Sequence, residues 1–534
     1  MKTRRMAVFF AVMILGFAGC ALGVRRAQES AGARQAVQAQ STWTLQIDEQ
    51  RGAIYDRQGR PFTGQEETVV TAVAPGIESG KALAALPDGE KKQAAMELYA
   101  KGTPFLFVFD EGARPAETEG IQHFTVQRRY GEDRLASHTI GTLDGSGHGV
   151  SGIEKAYDDF LTEQTGELSI AYTVGASGTV LQGVEPVVTD TRQKAQAGIR
   201  LTLDQDLQRI CETAGASLGS GAVVMLDVQT GEILAMSSCP SLSSSQTAQS
   251  PYLNKTIAAY SVGSVFKIVS AASALEQGFD PDTVYDCEGA VEVEGISFHC
   301  FNGIAHGQVD MEGAFAVSCN GYFVQAMSSV SARHFMMMAE ILGFGQAIEL
   351  AEGFSSASGS LPQEQELENP AALANFSFGQ GTLTATPLQV AAMTAAVASG
   401  GQYRTPVLLY GLCDENGDVY QRQSLSSPQN VMKEETASFL ASMMETAVQS
   451  GTAQSGAPES VTAAAKTGTA QTGVMEDGEE EVICWYTGFF PAQSPRYVVT
   501  VMQEGVTENT GDCAAVFAQI ADKTMAFLKE QAGN

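Results

Sequence analysis

Runs of apolar and polar positions along the chain predict elements of both kinds. Met6 to Val24 is almost continuously apolar, close to the ~20 residues a helix needs to cross a bilayer. Val265, Phe266, Ile268, Val269, Ala271, Ala272 and Leu275 predict a buried helix that opens at Gly263-Ser264 and stops at Gly278. Met311–Val317 reads as a short helix capped by Asp310. Thr386, Pro387 and Gln389 form a capping box with proline at the first helical position, and Gly400-Gly401 closes that helix. Val516, Phe517, Ile520, Met525 and Leu528 carry helical spacing over Asp512–Lys529. Strand-like segments are Ala222–Asp227 and Glu232–Met236, joined by Gln229-Thr230-Gly231, then Val482–Phe490 and Tyr497–Gln503. A polar, acidic turn at Glu476–Glu481 precedes the third of these. Val291 to Phe298 reads as a hairpin turning near Glu294-Gly295.

Composition narrows the class. At 534 residues the chain is long enough for two or more domains, and 44% hydrophobic with 17% charged residues is a globular balance. A net charge of −29 argues against nucleic acid as a partner, because a phosphate binder needs a basic surface. No metal and no other cofactor is expected. His123, His138, His148, His299, His306 and His334 form no ligand cluster with the cysteines along the chain, and no C-x-x-C pair exists. The nine cysteines are scattered rather than arranged as a disulfide scaffold. Cys287 and Cys300 flank the hairpin, where they are either bridged or two reduced thiols. Cys319 reads as a small filler, since a catalytic thiol would need its own base.

The N-terminus bears on the compartment. Lys2, Arg4 and Arg5 before the long apolar run favour a cytoplasmic tip and an exported remainder, while Arg25-Arg26 after it weaken the asymmetry. Two other readings share that topology: lipidation at Cys20 after Phe17-Ala18-Gly19, and a cleaved secretory signal. Each leaves the bulk of the chain outside the cytoplasm.

Three short motifs carry the chemistry, at about 50 and about 150 residues' separation: Ser264-Val265-Phe266-Lys267, Ser318-Cys319-Asn320 and Lys466-Thr467-Gly468. A serine hydroxyl is a poor nucleophile until a base takes its proton. Lys267 lies three residues on, about one helical turn, so both side chains share a face. Burial and a nearby cation would lower its pKa and leave a neutral amine to act as that base. Ser318 and Asn320, alternating around Cys319, can point into one cleft from an extended loop. There a hydroxyl can relay protons and a carboxamide can bind substrate amides. Lys466 and the Thr467 hydroxyl suit a carboxylate, and Gly468 lets another backbone approach. The N–H groups of Ser264 and Thr469 can supply an oxyanion hole.

With these motifs the chain resembles a class B penicillin-binding protein, a peptidoglycan D,D-transpeptidase. Arg51-Gly52-Ala53-Ile54-Tyr55-Asp56-Arg57-Gln58-Gly59 resembles that family's Arg-Gly-x-Ile-x-Asp-Arg-x-Gly signature. Leu135 to Gly141 and Gly149 to Glu154 resemble two further pedestal motifs. Gly379-Gln380-Gly381, followed by Thr384 to Gln389, resembles a segment between the second and third catalytic motifs. The resemblance implies a mixed α/β (α+β) fold: a serine β-lactamase/transpeptidase-like domain, an antiparallel sheet flanked by helices, on an N-terminal pedestal. It implies a signal-anchor at 1–26, a linker at 27–41, a dimerisation or pedestal domain at 42–195 and a transpeptidase domain at 196–534.

The implied reaction is cross-linking of peptidoglycan stem peptides. Ser264 attacks the penultimate D-alanine carbonyl, D-alanine leaves, and an amine of a neighbouring stem resolves the acyl-enzyme. Ser264, Lys267, Ser318 and Asn320 are the implied catalytic residues; Lys466, Thr467, Gly468 and Thr469 bind substrate. β-Lactam antibiotics would acylate the same serine, and a polytopic membrane glycosyltransferase is the implied partner. The competing readings are a β-lactamase and a non-catalytic β-lactam sensor or scaffold. Class A β-lactamases deacylate with a Glu four residues before an Asn, and four residues before Asn369 stands Gln365.

Overall fold

Every residue of the strand Gly221–Asp227 (β1) is buried, and so is every residue of Ile233–Cys239 (β2). Strands covered on both faces must sit inside a layered sheet, which is where the chain places them. In the computed structural model, which describes residues 13–23, 25–26, 41–131, 133–163, 166–175, 178–192, 197–242, 253–414, 417–476, 479–506 and 512–533, they join Ala464–Glu476 (β3), Glu479–Phe490 (β4) and Tyr497–Val506 (β5). The five-stranded order is β2-β1-β5-β4-β3, all antiparallel. Pairing of β3 with β4 runs on to Glu476 opposite Glu479, into the span expected to be an acidic turn.

Alternation along the strands divides the apolar residues between two cores. Ala222, Val224 and Leu226 face one side with Trp485, Phe489 and Val498. That core takes in the helices Lys267–Glu276 (α2) and Pro387–Ala398 (α4), with Asn320–Met327 (α3) between them in the chain. Val223 and Met225 face the other side with Tyr486, Phe490 and Val499. There they meet Gln205–Gly215 (α1) and Cys513–Gly533 (α5), through Leu207, Cys211, Phe517 and Ile520. The sequence-predicted capping box at Thr386 and Gln389 is present, with proline at the helix start. The hairpin pairs Ala290–Val293 with Ile296–His299, and Glu294 and Gly295 at its tip both have positive φ, as a tight two-residue turn requires.

The chain divides into two compact units. One comprises 1–51, 64–129 and 165–194; the other comprises 52–63, 130–164 and 195–534. The first holds two three-stranded sheets. One is Thr42–Gln50, Gly166–Thr173 and Val187–Asp190; the other centres Glu66–Val73 between Phe105–Phe107 and Ile121–Arg128. Their cores are small, built around Ile47, Leu168 and Ile170, and around Val73, Leu83 and Ile121.

The expected span 42–195 is therefore shared between the two units. Of the residues resembling pedestal signatures, 52–59, 135–141 and 149–154 fold with the larger unit, and Arg51 falls in the smaller one. Long-range pairing is the reason. Ala53–Tyr55 runs parallel to Gly198–Leu201. Asp56 is fully buried, and its carboxylate accepts the N–H groups of Gln58 and Arg60. Arg57 then pairs with Glu232 at 2.9 Å, and Arg60 with Asp206 at 2.6 Å. The signature thus latches onto the start of α1 and the start of β2.

Residues 13–23 are helical, with exposed side chains. Residues 1–12 of the expected membrane segment and 27–40 of the expected linker lie outside the described residues. Among the described residues no helix is long and apolar enough to cross a membrane.

Candidate active site

Gly263–Phe266 forms a 3₁₀ turn that runs directly into α2, so the first motif begins in the tighter helix. Residues three apart eclipse in a 3₁₀ turn, which sets Lys267 behind Ser264. Lys267 Nζ lies 3.1 Å from Ser264 Oγ. The turn depends on two glycines. Gly263 has φ +62°, and a Cβ there would stand 2.4 Å from the carbonyl oxygen of Thr469. Its N–H donates to the Gly379 carbonyl at 2.9 Å, and a Cβ on Gly379 would sit 1.9 Å from the Gly263 carbonyl oxygen. The Gly379-Gln380-Gly381 stretch therefore holds the turn that carries Ser264 in place.

The second motif differs from the expected extended loop. Ser318 takes a left-handed conformation, φ +58°, between the helices Met311–Ala316 and α3. Cys319 is the N-cap of α3 and Asn320 its first residue. Both flanking side chains still converge on Lys267. Its Nζ lies 2.6 Å from Asn320 Oδ1, 3.1 Å from Ser318 Oγ and 2.7 Å from the Ser318 carbonyl oxygen. Asn320 is oriented from behind, donating through Nδ2 to the His299 carbonyl at 2.8 Å.

The third motif lies on β3, the edge strand of the sheet. Gly468 admits a close backbone approach, as anticipated, but the approaching group includes the protein itself: a Cβ there would meet Val265 Cγ1 at 2.9 Å. Thr467, Gly468 and Thr469 line the cleft beside Ser264, and Thr467 Oγ1 lies 2.8 Å from Thr452 Oγ1. Lys466 is fully buried and does not line it; its Nζ lies 3.0 Å from Ser318 Oγ and donates to the Thr467 carbonyl. Ser318 Oγ thus bridges two lysines.

Burial governs both amines. Lys267 is held down to about 7 by desolvation. Lys466 lies well below the usual lysine range, first through burial and then through the neighbouring Lys267 charge. Lys267 Nζ has two carbonyl-type acceptors, Ser318 O and Asn320 Oδ1, which take its two N–H groups when neutral. The remaining lone pair is then open to a hydroxyl, and two hydroxyls stand at 3.1 Å.

The cleft has a volume of about 1060 Å³. Ser264, Ser318, Asn320, Gln380, Thr467 and Trp485 are among its lining residues, and among the described residues no carboxylate lines it. Asn369, the reference point for a class A deacylation base, instead caps the helix Pro370–Ser377.

One expectation is overturned here. His306 lies with Cys287, Cys300 and Cys319, whose ligand atoms are all within 4.8 Å of one another. Spacing along the chain concealed this cluster, because strand pairing between Tyr285–Cys287 and Gly307–Val309 brings it together. Cys287 and Cys300 are free thiols.

Residues 221–526, more than half the chain, match the family described as the penicillin-binding protein transpeptidase domain. The chain belongs to that family. Penicillin-binding protein PbpB of Mycolicibacterium smegmatis is 31% identical over 426 residues, covering 74% of this chain and 64% of the relative. The chain thus spans just under two thirds of that relative's length. Stage V sporulation protein D of Bacillus subtilis is 26% identical over 500 residues, covering 87% of this chain and 76% of the relative. A solved D,D-transpeptidase domain of a peptidoglycan glycosyltransferase from Eggerthella lenta superposes with a TM-score of 0.64 at 22% identity. That match covers 90% of this chain and 98% of the other. This penicillin-binding-protein domain therefore has the mixed α/β transpeptidase fold. Reading the sequence missed His299, Thr452 and Trp485, whose indole donates to the Ser261 carbonyl at 2.9 Å. No local signal marks them; only the fold brings them to the cleft.

Proposed function

We propose that the chain is a serine-type peptidoglycan D,D-transpeptidase of the class B kind, acylated by β-lactams at the same serine. The observation that carries this reading is the shared amine: Lys267 Nζ stands within 3.1 Å of the Ser264 and Ser318 hydroxyls and 2.6 Å from the Asn320 carboxamide. Neutral Lys267 takes the Ser264 proton as Oγ attacks the penultimate D-alanine carbonyl of a stem peptide. The N–H groups of Ser264 and Thr469 stabilise the oxyanion. As the tetrahedral intermediate collapses, the C–N bond breaks and the proton passes from Lys267 through Ser318 to the departing D-alanine amine. An amine from a second stem then attacks the ester, Lys267 accepts its proton, and that proton passes to Ser264 Oγ as the C–O bond of the acyl-enzyme breaks. Thr467 and Thr469 face the terminal carboxylate. Lys466 acts behind Ser318, holding its hydroxyl and adding positive potential when protonated.

The exported setting is supported by Lys2, Arg4 and Arg5 before the apolar run Met6 to Val24, read as a single-pass anchor with the catalytic unit outside the cytoplasm. The smaller unit is then the pedestal, and a polytopic membrane glycosyltransferase is its expected partner by family resemblance.

The test is covalent labelling. Ser264→Ala should lose all labelling by a fluorescent penicillin while melting at the wild-type temperature, since a half-buried hydroxyl is no packing element. Stoichiometric labelling of a folded Ser264→Ala protein would overturn the assignment.

A further inference from the structure

The thiols and imidazole gathered under the second motif have the geometry of a metal site. Cys287 ends a strand whose partner, Gly307–Val309, begins right after His306. Cys300 follows the hairpin strand Ile296–His299, with its N–H bonded to the Gly289 carbonyl. Cys319 caps α3 from between Ser318 and Asn320. The three cysteines are buried and His306 is half-buried.

Distances distinguish a metal site from a disulfide. Cys287 Sγ lies 3.7 Å from Cys300 Sγ, Cys300 Sγ lies 3.8 Å from Cys319 Sγ, and Cys287 Sγ lies 3.4 Å from His306 Nδ1. A disulfide needs sulfurs ~2.05 Å apart, and Cys300, nearly equidistant from two thiols, can bridge only one. Zinc bonds of ~2.3 Å to sulfur and ~2.0–2.1 Å to nitrogen give tetrahedral edges of ~3.8 Å between sulfurs and ~3.5 Å between sulfur and nitrogen. These three separations match those edges within a few tenths of an ångström, and all four ligand atoms lie within 4.8 Å of one another.

We propose that Cys287, Cys300, His306 and Cys319 form a structural zinc site that ties the second catalytic motif to the hairpin beneath it. Three thiolates and a neutral imidazole are a known ligand set for closed, four-coordinate zinc, so the ion has no open position for chemistry. Binding releases the thiol protons and leaves the centre with one net negative charge. At the start of α3 the Tyr322 N–H donates to Cys319 Sγ at 3.5 Å and offsets part of that charge. The role is positional. Cys319 is bonded in sequence to both Ser318 and Asn320, and Cys300 follows His299, whose carbonyl accepts from Asn320. A four-way clamp there would hold both motif side chains against Lys267.

The test uses the full chain, purified reduced in metal-free buffer, with Zn²⁺ and then Co²⁺ as probes. About one zinc per chain is expected by elemental analysis, surviving dialysis against a moderate chelator. Co²⁺ should give a thiolate-to-cobalt charge-transfer band and intense tetrahedral visible bands. Cys287→Ser and His306→Ala should each retain less than about a tenth of the metal under the same dialysis, whereas Cys413→Ser should retain all of it. Should a variant fail to fold, the wild-type cobalt spectrum still decides. A folded, reduced wild-type protein that takes up neither ion would overturn the proposal. So would a metal-free protein whose peptide map places a disulfide among Cys287, Cys300 and Cys319. Metal content is read independently of Ser264 labelling, so failure here leaves the acyl-transfer reading standing.

Discussion

Lys267 is a fully buried amine with no carboxylate ion pair among the described residues, and its setting decides its chemistry. Its pKa is depressed to about 7, so the neutral, proton-accepting form gains population as pH rises through that value. The acylation rate of the wild-type protein by a β-lactam should therefore climb about tenfold per pH unit below 7 and flatten above it; stopped-flow or gel-based labelling across pH 5–9 measures this. A rate flat across pH 5–8 would remove Lys267 from the role of base. Lys267→Ala should slow acylation by ~10²–10⁴-fold, the usual cost of losing a general base. Lys466→Ala should slow it less, because that amine acts through Ser318 and through its field. A folded Lys466→Ala protein with wild-type rates would separate the third motif from the chemistry.

The turn that presents Ser264 is held by backbone contacts between distant segments. Gly379 has φ +84° and leaves no room for a side chain against the Gly263 carbonyl. Gly379→Ala should strain that contact by ~1–3 kcal/mol or more and displace the nucleophile turn. Both a lower melting temperature and slower penicillin labelling are expected, and an unchanged rate would show that the turn does not depend on this contact. Thr386→Ala is the contrasting case. It removes the cap of α4, costing about 1 kcal/mol in denaturant unfolding, with labelling unchanged in the remaining folded protein. The cap and box were legible in the residues themselves, because both partners lie within four positions. The Gly263–Gly379 contact was not, since more than a hundred residues separate its two halves.

For the molecule as a whole, the lining of the cleft bears on the proposed choice of transfer over hydrolysis. A transpeptidase must keep its acyl-enzyme from water until an amine arrives, and among the described residues no carboxylate lines this cleft to activate a water. The penicilloyl adduct on Ser264 should thus persist for many minutes and appear as added mass on the intact protein. Rapid turnover of a chromogenic cephalosporin without an adduct would favour a β-lactamase instead.

The sequence alone determined whatever rests on neighbours: the three motifs in order, the capping box, the hairpin tip, and the Ser264–Lys267 pairing one turn apart. Periodicity located the strands β1, β2, β4 and β5 and the last helix to within a few residues, because alternation and helical spacing are local properties. Tertiary structure decided everything that depends on which distant segments meet. It placed Lys466 behind Ser318 rather than in the cleft, put Ser318 in a left-handed bend, and folded the signature at 52–59 onto α1 and β2. It also gathered Cys287, Cys300, His306 and Cys319 into one cluster. Local preference is written in spacing; convergence is set by strand pairing and by the burial of two apolar cores, which no window along the chain contains.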